Sequence, residues 1–427
     1  MSITCLHGGR IVDPANEINK IKDLYFEKNK IISKPPIESN KKIKKIDVTG
    51  KIVMPGLVDL RTHLKNITGG QSENIKSGTT AAAAGGYTTI LLMPDILPRA
   101  DNPGTIQFIQ DRILKHACVK VLLCGCLTKE AGGESLAPLG SLKEIGVAAI
   151  SDCPRTTQNN QIFSKGVEYA SMFDLLVIDL PRDISLSRNG SAHDGPMALK
   201  MGLGGYPRMA EELYVQRAIS ISKSVKTKIH LTSISSHGSV EMIRAAKEKG
   251  ILISADVTPH HLSLNEDCIT EFNPNFKMSP PVREEIDRNA LVGGLLDGTI
   301  DCVSSAHEPF QEHEKNVEYD LSPPGVIGLE TALSACYQNL KECEEFSWLK
   351  LISSMSYNAS KILEINSGTL SVGSSADIVI FDSEFKWKYN KKNRLSLAAN
   401  TPFENKEFKG KVEKTFVDGK LAFGIID

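Results

Sequence analysis

Eight short apolar runs recur along the middle of the chain, with stretches of helical periodicity between them. The runs are GLVDLR, TTILLM, VKVLLCGCL, VAAIS, LLVIDL, KIHLTSI, GILISADV and DCVSSA, and the helical stretches include residues 210–223 and 239–249. Buried strands that alternate with helices are typical of a parallel sheet with crossover helices. Eight such units predict an α/β fold with a (β/α)8 TIM-type barrel, and an open doubly wound sheet is the alternative.

The two ends of the chain follow a different pattern. Segments such as SITCLHGGRIVD near the start and SADIVIFD near the end alternate apolar and polar residues, as half-exposed strands do. Asp418-Gly419 is a strong signal for a two-residue hairpin. We therefore predict a small β-sandwich domain built from both termini, residues 1–54 plus 369–427, with the barrel inserted between them as residues 55–368.

Composition narrows the class of protein further. The 427 residues carry a net charge of −1, with 41% hydrophobic and 24% charged residues. This charge gives no excess of basic residues of the kind that nucleic-acid-binding proteins have. The sequence shows neither a signal peptide nor an 18-residue apolar stretch, which predicts no membrane span. The nine cysteines are scattered, so we expect reduced thiols and a cytoplasmic protein.

In a (β/α)8 barrel, functional side chains sit where the strands end. The first run ends at Arg61 and His63. Two histidines with this spacing could bind one metal ion, but here the first of the two positions is an arginine. A hydrolytic site with two metal ions needs about five or six converging ligands and a carboxylate base. Arginine, serine and alanine at such strand ends are not metal ligands of this kind. A complete two-metal site is therefore not expected.

Several ordered blocks of the chain resemble the dihydroorotase family of the amidohydrolase superfamily. They include PGLVDLRTHL, AAAAGGYTTILLMPD, HLTSISSHGSVEMIRAAKEKG, DVTPHHL and NFKMSPPVREEIDRNALVGGLLDGTID, and they run nearly from end to end. The resemblance implies a (β/α)8 barrel with a composite β-sandwich. It also implies a zinc site that reversibly cyclises carbamoyl-aspartate to dihydroorotate.

The metal ligands of the family do not all carry over. Arg61, Ser233 and Ala306 stand where the family places two ligand histidines and the aspartate that is both ligand and base. No histidine occurs near Asp179, where another is expected, and the bridging position falls on Asp152 or Cys153. The remnants that could still bind a metal are His63, Asp152, His230, His261 and His307.

Substrate contacts of the family are changed as well. Lys65 stands in place of an arginine and Asp95 in place of an asparagine in the former substrate pocket. Lysine lacks the planar two-donor fork that grips a carboxylate. Arg61 would also repel a nearby metal, since two unit charges at about 4 Å repel by roughly 4 kcal/mol at an effective dielectric of about 20.

These losses lead us to interpret the charged residues as internal partners. We expect Arg61 to stand where a zinc ion would lie, Asp152 to pair with Arg61 or Arg155, and Asp95 to pair with Lys65. His63 is interpreted as a hydrogen-bonded core residue. His260 and His261 are interpreted as holding the loop after the seventh run.

The expected function is therefore that of a dihydroorotase-like pseudoenzyme, with no catalytic residue, no metal and no cofactor. The resemblance implies a non-catalytic structural partner of aspartate transcarbamoylase in pyrimidine biosynthesis, as a homo-oligomer or hetero-oligomer. Two alternatives stay open. One is an active dihydroorotase or other cyclic amidohydrolase with a reduced metal site and zinc, and the other is a non-catalytic small-molecule sensor.

Overall fold

The computed structural model describes residues 3–35, 42–66, 73–188 and 190–424. Its strands, in chain order, are β1 (Ile3–His7), β2 (Arg10–Asp13), β3 (Ile18–Ile21), β4 (Leu24–Glu27), β5 (Lys30–Ile32), β6 (Ile43–Asp47), β7 (Ile52–Pro55), β8 (Leu57–Thr62), β9 (Tyr87–Leu92), β10 (Lys120–Cys126), β11 (Ala149–Ser151), β12 (Leu176–Asp179), β13 (Ala192–His193), β14 (Gly205–Tyr206), β15 (Ile229–Leu231), β16 (Ile253–Val257), β17 (Cys302–Val303), β18 (Ile378–Lys388), β19 (Glu407–Val417) and β20 (Lys420–Phe423).

The α-helices lie mostly between the barrel strands. They are α1 (Ile75–Ala84), α2 (Pro103–His116), α3 (Leu139–Glu144), α4 (Asn160–Ser171), α5 (Ile184–Ser187), α6 (Pro196–Met201), α7 (Met209–Val225), α8 (His237–Glu248), α9 (Pro259–Ser263), α10 (Glu285–Asp297), α11 (Glu312–Lys315), α12 (Ala332–Leu340), α13 (Trp348–Ile352) and α14 (Asn358–Ile362). The two helical stretches predicted from periodicity correspond to α7 and α8.

Eight parallel strands form the barrel, in the order β17-β16-β15-β12-β11-β10-β9-β8. All eight apolar runs of the sequence contribute one strand each. The ends of the sheet meet where the His63 amide donates to the His307 carbonyl at 2.8 Å. The prediction of a (β/α)8 barrel is confirmed. The alternative of an open doubly wound sheet is wrong, because the first and last strands join.

A β-sandwich accompanies the barrel, as predicted. One sheet has the order β5-β4-β1-β6, and the other, β20-β19-β18-β7-β2-β3, combines strands from both ends of the chain. Apolar side chains such as Leu6, Phe26 and Ile378 pack between the two sheets. The exact division at residues 54/55 and 368/369 stays a prediction.

The hairpin predicted at Asp418-Gly419 joins β19 to β20. Both residues have positive φ, 48° and 73°, as the two central positions of a type I′ turn require. All nine cysteines are free, as expected. Among the described residues, no helix is both long enough and apolar enough to cross a membrane.

Candidate active site at the barrel mouth

Arg61 lies in the barrel mouth, as the next-to-last residue of β8. Its side chain is only 2% exposed. Its Nη1 donates to Ser233 Oγ at 2.5 Å, and its Nε donates to His63 Nε2 at 3.2 Å. Burial opposes the charge on Arg61, but the side chains of Cys153 and Glu308 outweigh burial and raise its pKa. The guanidinium is therefore a fixed cation in a largely dry site.

His63 and Asp95 form a buried pair beside Arg61. His63 Nδ1 lies 2.8 Å from Asp95 Oδ1, and the other carboxylate oxygen of Asp95 has no partner among the described residues. Burial works against protonation of His63, but the carboxylates of Asp95 and Glu308 outweigh it and raise its pKa to about 10. Although burial raises the pKa of Asp95, the nearby His63 lowers it by more, so the net shift is downward. His63 is hydrogen-bonded in the core, as predicted, but its partner is Asp95.

Cys153 lies close to the same pair, just after β11. Its side chain is close enough to His63 and Arg61 to contribute to the raised pKa of each. We call Arg61, His63, Asp95 and Cys153 the His63 side of the mouth. These four side chains are all buried.

Lys65, Glu308 and Phe310 lie over the outside of the His63 side. Lys65 Nζ is 3.0 Å from Glu308 Oε1 and 3.8 Å from the centre of the Phe310 ring. The other oxygen of Glu308 is 3.9 Å from Arg61 Nη2. A cavity of about 290 Å³, lined by Lys65 and Phe310 among others, opens beyond them. The predicted Lys65–Asp95 pair is therefore wrong, because each residue has a different partner.

Asp256, at the end of β16, organises the opposite part of the mouth. Its Oδ2 accepts from Thr232 Oγ1 at 2.8 Å and lies 3.0 Å from His230 Nε2. Its Oδ1 accepts from the Ser233 amide at 2.7 Å and from Ser304 Oγ at 2.6 Å. We call these five residues the Asp256 side. His230 is thereby held as a structural histidine, with Ser254 Oγ 2.9 Å from its Nδ1.

Asp152 and Asp179 have partners of their own, away from Arg61. Asp152 accepts from Thr128 and Thr157, at 2.6 and 2.7 Å for the two hydroxyls. Arg155 reaches the backbone carbonyls of Glu130 and Ala131 instead. The predicted ion pair of Asp152 is therefore wrong. Asp179, where a family histidine is missing, pairs with Arg217 at 2.9 Å.

The remaining histidines of the mouth, His260, His261 and His307, are buried. His261 Nδ1 lies 2.6 Å from Thr258 Oγ1, and its Nε2 lies 3.1 Å from the Pro280 carbonyl. Burial, helped by Arg283, lowers the pKa of His261 to about 4. Burial lowers the pKa of His307 to about 3, and its Nε2 has no partner among the described residues. The prediction that His260 and His261 hold the loop fits their place in α9.

The side chains of the mouth do not fit a two-zinc centre. Among the described residues, one group of three potential metal ligands has its ligand atoms within 4.8 Å of one another. This group is His193, Glu284 and Asp287, and it lies outside the mouth. Arg61 donates into the space between His63 and Ser233. Ala306, at the position of the expected base, carries no titratable group.

Two family models match the chain. "Dihydro-orotase-like" matches residues 50–239, and "Amidohydrolase family" matches residues 210–422. A protein named dihydroorotase from Endomicrobium trichonymphae is 38% identical over 417 residues, covering 97% of this chain and 98% of that protein. A dihydroorotase from Thermoanaerobacter sp. (strain X514) is 40% identical over 378 residues, 88% of each chain. The chain belongs to the dihydroorotase family.

Solved structures of similar fold support the architecture. L-hydantoinase (dihydropyrimidinase) from Arthrobacter aurescens matches with a TM-score of 0.87 and 21% identity, covering 98% of this chain and 95% of that one. Dihydropyrimidinase from Brevibacillus agri NCHU1002 matches with a TM-score of 0.84 and 20% identity, covering 98% and 94%. At this identity the likeness concerns the fold.

The expectation of a non-catalytic pseudoenzyme is wrong on these comparisons. Relatives matched over nearly their whole length are named dihydroorotases, which favours the alternative of an active enzyme. The expectation of no cofactor is corrected with it, because zinc is what the resemblance to this family implies. The error came from equating the loss of ligand histidines with the loss of chemistry.

Sequence reasoning missed three contributors to the mouth. Glu308 pairs with Lys65, Asp256 accepts hydrogen bonds from Thr232, Ser233 and Ser304, and Cys153 contributes to the raised pKa of His63. Glu308 follows His307 directly and Asp256 ends an apolar run, so their positions at strand ends were visible signals. Cys153 was considered only for the bridging position, and nothing in its surrounding letters showed that it would act on His63.

Proposed function

We propose that this chain is a cyclic-amide hydrolase that opens, and in reverse closes, a ring of the dihydroorotate kind, as a step of pyrimidine biosynthesis. The match to proteins named dihydroorotase over 97% of this chain and 98% of a relative carries the proposal. A match of this extent means that neither the barrel nor the sandwich lacks a large part relative to those proteins.

The His63 side offers groups suited to this chemistry. Opening a cyclic amide places negative charge on the carbonyl oxygen, and a preorganised cation stabilises such charge best in a site that excludes water. Arg61 is such a cation, held by Ser233 and His63. A histidine oriented by a carboxylate is suited to moving the proton, and His63 with Asp95 has this arrangement.

The substrate would approach through the cavity of about 290 Å³ beside Lys65 and Phe310. Lys65 lines this cavity and is about one-third exposed. A carboxylate on the ring could pair with Lys65 in exchange for Glu308. That exchange would free the path past Glu308 toward Arg61.

The test is direct measurement of ring opening by the purified chain. Dihydroorotate loss and carbamoyl-aspartate formation are followed by chromatography with zinc added, with a chelator, and with neither, and bound metal is measured by mass spectrometry. We expect turnover that Arg61→Met abolishes, since methionine keeps the bulk of the side chain and removes its charge. Absence of turnover in all three conditions would overturn the proposal.

Half-buried Arg112 provides the matched control. It lies on α2, away from the mouth, so Arg112→Met removes a guanidinium in the same way. This variant should keep the activity of the unchanged chain.

Association with aspartate transcarbamoylase stays a prediction that rests on the family resemblance. Size-exclusion chromatography with light scattering, on the chain alone and mixed with catalytic trimers of that enzyme, would test it. Unchanged elution of both proteins at micromolar concentration would count against it. The same measurement gives the oligomeric state of the chain alone.

A further inference from the structure

Asn400 lies in the connection between β18 and β19, two strands of the sandwich, and its buried side chain contacts the barrel. Its Nδ2 donates to the carbonyl oxygens of Glu308 at 2.8 Å and Gly325 at 3.0 Å, and its Oδ1 accepts from the Phe310 amide at 3.0 Å. Its backbone carbonyl accepts from the Ile327 amide at 2.8 Å. The start and the end of the barrel loop from Glu308 to Ile327 are therefore tied to one residue.

The start of this loop carries two side chains that contact Lys65. Lys65 Nζ lies 3.0 Å from Glu308 Oε1 and 3.8 Å from the centre of the Phe310 ring. The face of an aromatic ring attracts a cation, so the ring of Phe310 holds the ammonium as the carboxylate of Glu308 does. The position of the loop backbone thus sets the position of the Lys65 ammonium.

An amide side chain suits this place in the loop. Asparagine offers two N–H donors and a carbonyl acceptor, and at position 400 they meet two backbone carbonyls and one backbone amide. Asn393 lies in the same connection but uses its amide on Lys388 and Asn390, outside the barrel. The two asparagines therefore differ in whether they reach the barrel mouth.

We propose, resting on the hydrolase function above, that Asn400 is a positioning residue for substrate binding. It holds Glu308 and Phe310 so that the Lys65 ammonium meets the carboxylate of the substrate. Glu308 leaves Lys65 when that carboxylate arrives, whereas the Phe310 ring stays against the ammonium. The connection between β18 and β19 thereby acts on the barrel mouth through Lys65.

Steady-state kinetics of dihydroorotate opening by Asn400→Ala test the proposal. We expect KM to rise about three- to tenfold while kcat changes by less than about twofold, because the loss concerns substrate binding. Asn400→Asp keeps the acceptor for the Phe310 amide but loses both donors, so it should raise KM as well. Asn393→Ala is the matched control and should change neither constant, since Asn393 is exposed and does not contact the loop.

A double-mutant cycle with Lys65→Met separates positioning from a general loss of structure. Asn400→Ala should raise KM of the unchanged chain but change KM of Lys65→Met by less than about twofold, because methionine leaves no cation to position. Thermal unfolding shows which variants are folded. An equal rise of KM in both backgrounds, or an unchanged KM in folded Asn400→Ala, overturns the proposal.

Phe310→Leu decides the matter where neither variant of Asn400 folds. Leucine keeps the loop backbone and removes the aromatic face, so this variant should raise KM in the unchanged chain and not in Lys65→Met. A rise in both backgrounds overturns the proposal in the same way.

Absence of turnover by the unchanged chain with and without zinc overturns the hydrolase function. Calorimetric titration with carbamoyl-aspartate then decides the positioning role by itself. Weaker binding to Asn400→Ala than to the unchanged chain supports it, and equal or undetectable binding to both overturns it.

Discussion

The two sides of the barrel mouth use polar residues in opposite ways. On the Asp256 side, one carboxylate is surrounded by four hydrogen-bond partners, and His230 is held at both ring nitrogens. On the His63 side, Asp95 keeps an oxygen without a partner among the described residues, and the Arg61 guanidinium donates to the His63 imidazole. A network in which every hydrogen-bonding atom has a partner stabilises a fold. Groups whose hydrogen-bonding atoms lack a partner can instead bind or act on a substrate.

Removing the Asp256 carboxylate should have the largest effect on stability. Asp256→Ala leaves buried donors from Thr232, Ser233 and Ser304 without an acceptor, so we expect the free energy of unfolding to fall by about 3–5 kcal/mol. Urea denaturation measures this. Asp111→Ala, at an exposed position of α2, should change it by less than about 0.5 kcal/mol. A small loss for Asp256→Ala would remove the contrast between the two sides.

Exchanging one histidine on each side should separate activity from stability. His63→Gln removes a side chain that can donate a proton and should lower kcat by about 10²–10⁴-fold, because glutamine moves no proton. His230→Gln should mainly lower the midpoint of urea denaturation, since it disturbs the partners of Asp256. Ring-opening rates and denaturation curves of both variants are compared. Equal losses of activity in the two would show that the division into sides is wrong.

The dependence of stability on pH should have opposite signs at two histidines. The pKa of His63 is raised to about 10, so its stabilising contribution is present below about pH 6.5 and is lost as the pH rises toward 10. The pKa of His261 is lowered to about 4, so its contribution is present above about pH 6.5 and is lost as the pH falls toward 4.

Denaturation midpoints across this pH range check both signs. His63→Gln should flatten the alkaline part of the curve, and His261→Gln should flatten the acidic part. A flattened acidic part in His63→Gln would contradict the assignment of His63 as the histidine with the raised pKa.

Of these substitutions, Lys65→Met should change the free energy of unfolding least. Its pair with Glu308 is partly exposed, and such pairs contribute about 0–1 kcal/mol. Lys65→Met should therefore leave the free energy of unfolding nearly unchanged while raising KM for dihydroorotate about tenfold, since the substrate carboxylate loses a cation. An unchanged KM would place the entry of substrate elsewhere.

The sequence by itself determined the fold. Eight apolar runs separated by helices, alternating strands at both ends and Asp418-Gly419 predicted the barrel, the sandwich and the hairpin, because these follow from the local periodicity of buried and exposed positions. The family and the positions Arg61, Ser233 and Ala306 were equally visible, since each follows from motifs of neighbouring residues.

Only the tertiary structure decided the partners of the charged groups. Asp95 pairs with His63, Lys65 with Glu308 and Asp152 with threonines, although the sequence favoured other pairs. Side chains at the ends of different strands converge from distant parts of the chain, and differences of a few ångströms decide which ones meet. The hydrogen bond from Arg61 to Ser233 depends on the same convergence, which no spacing along the chain encodes.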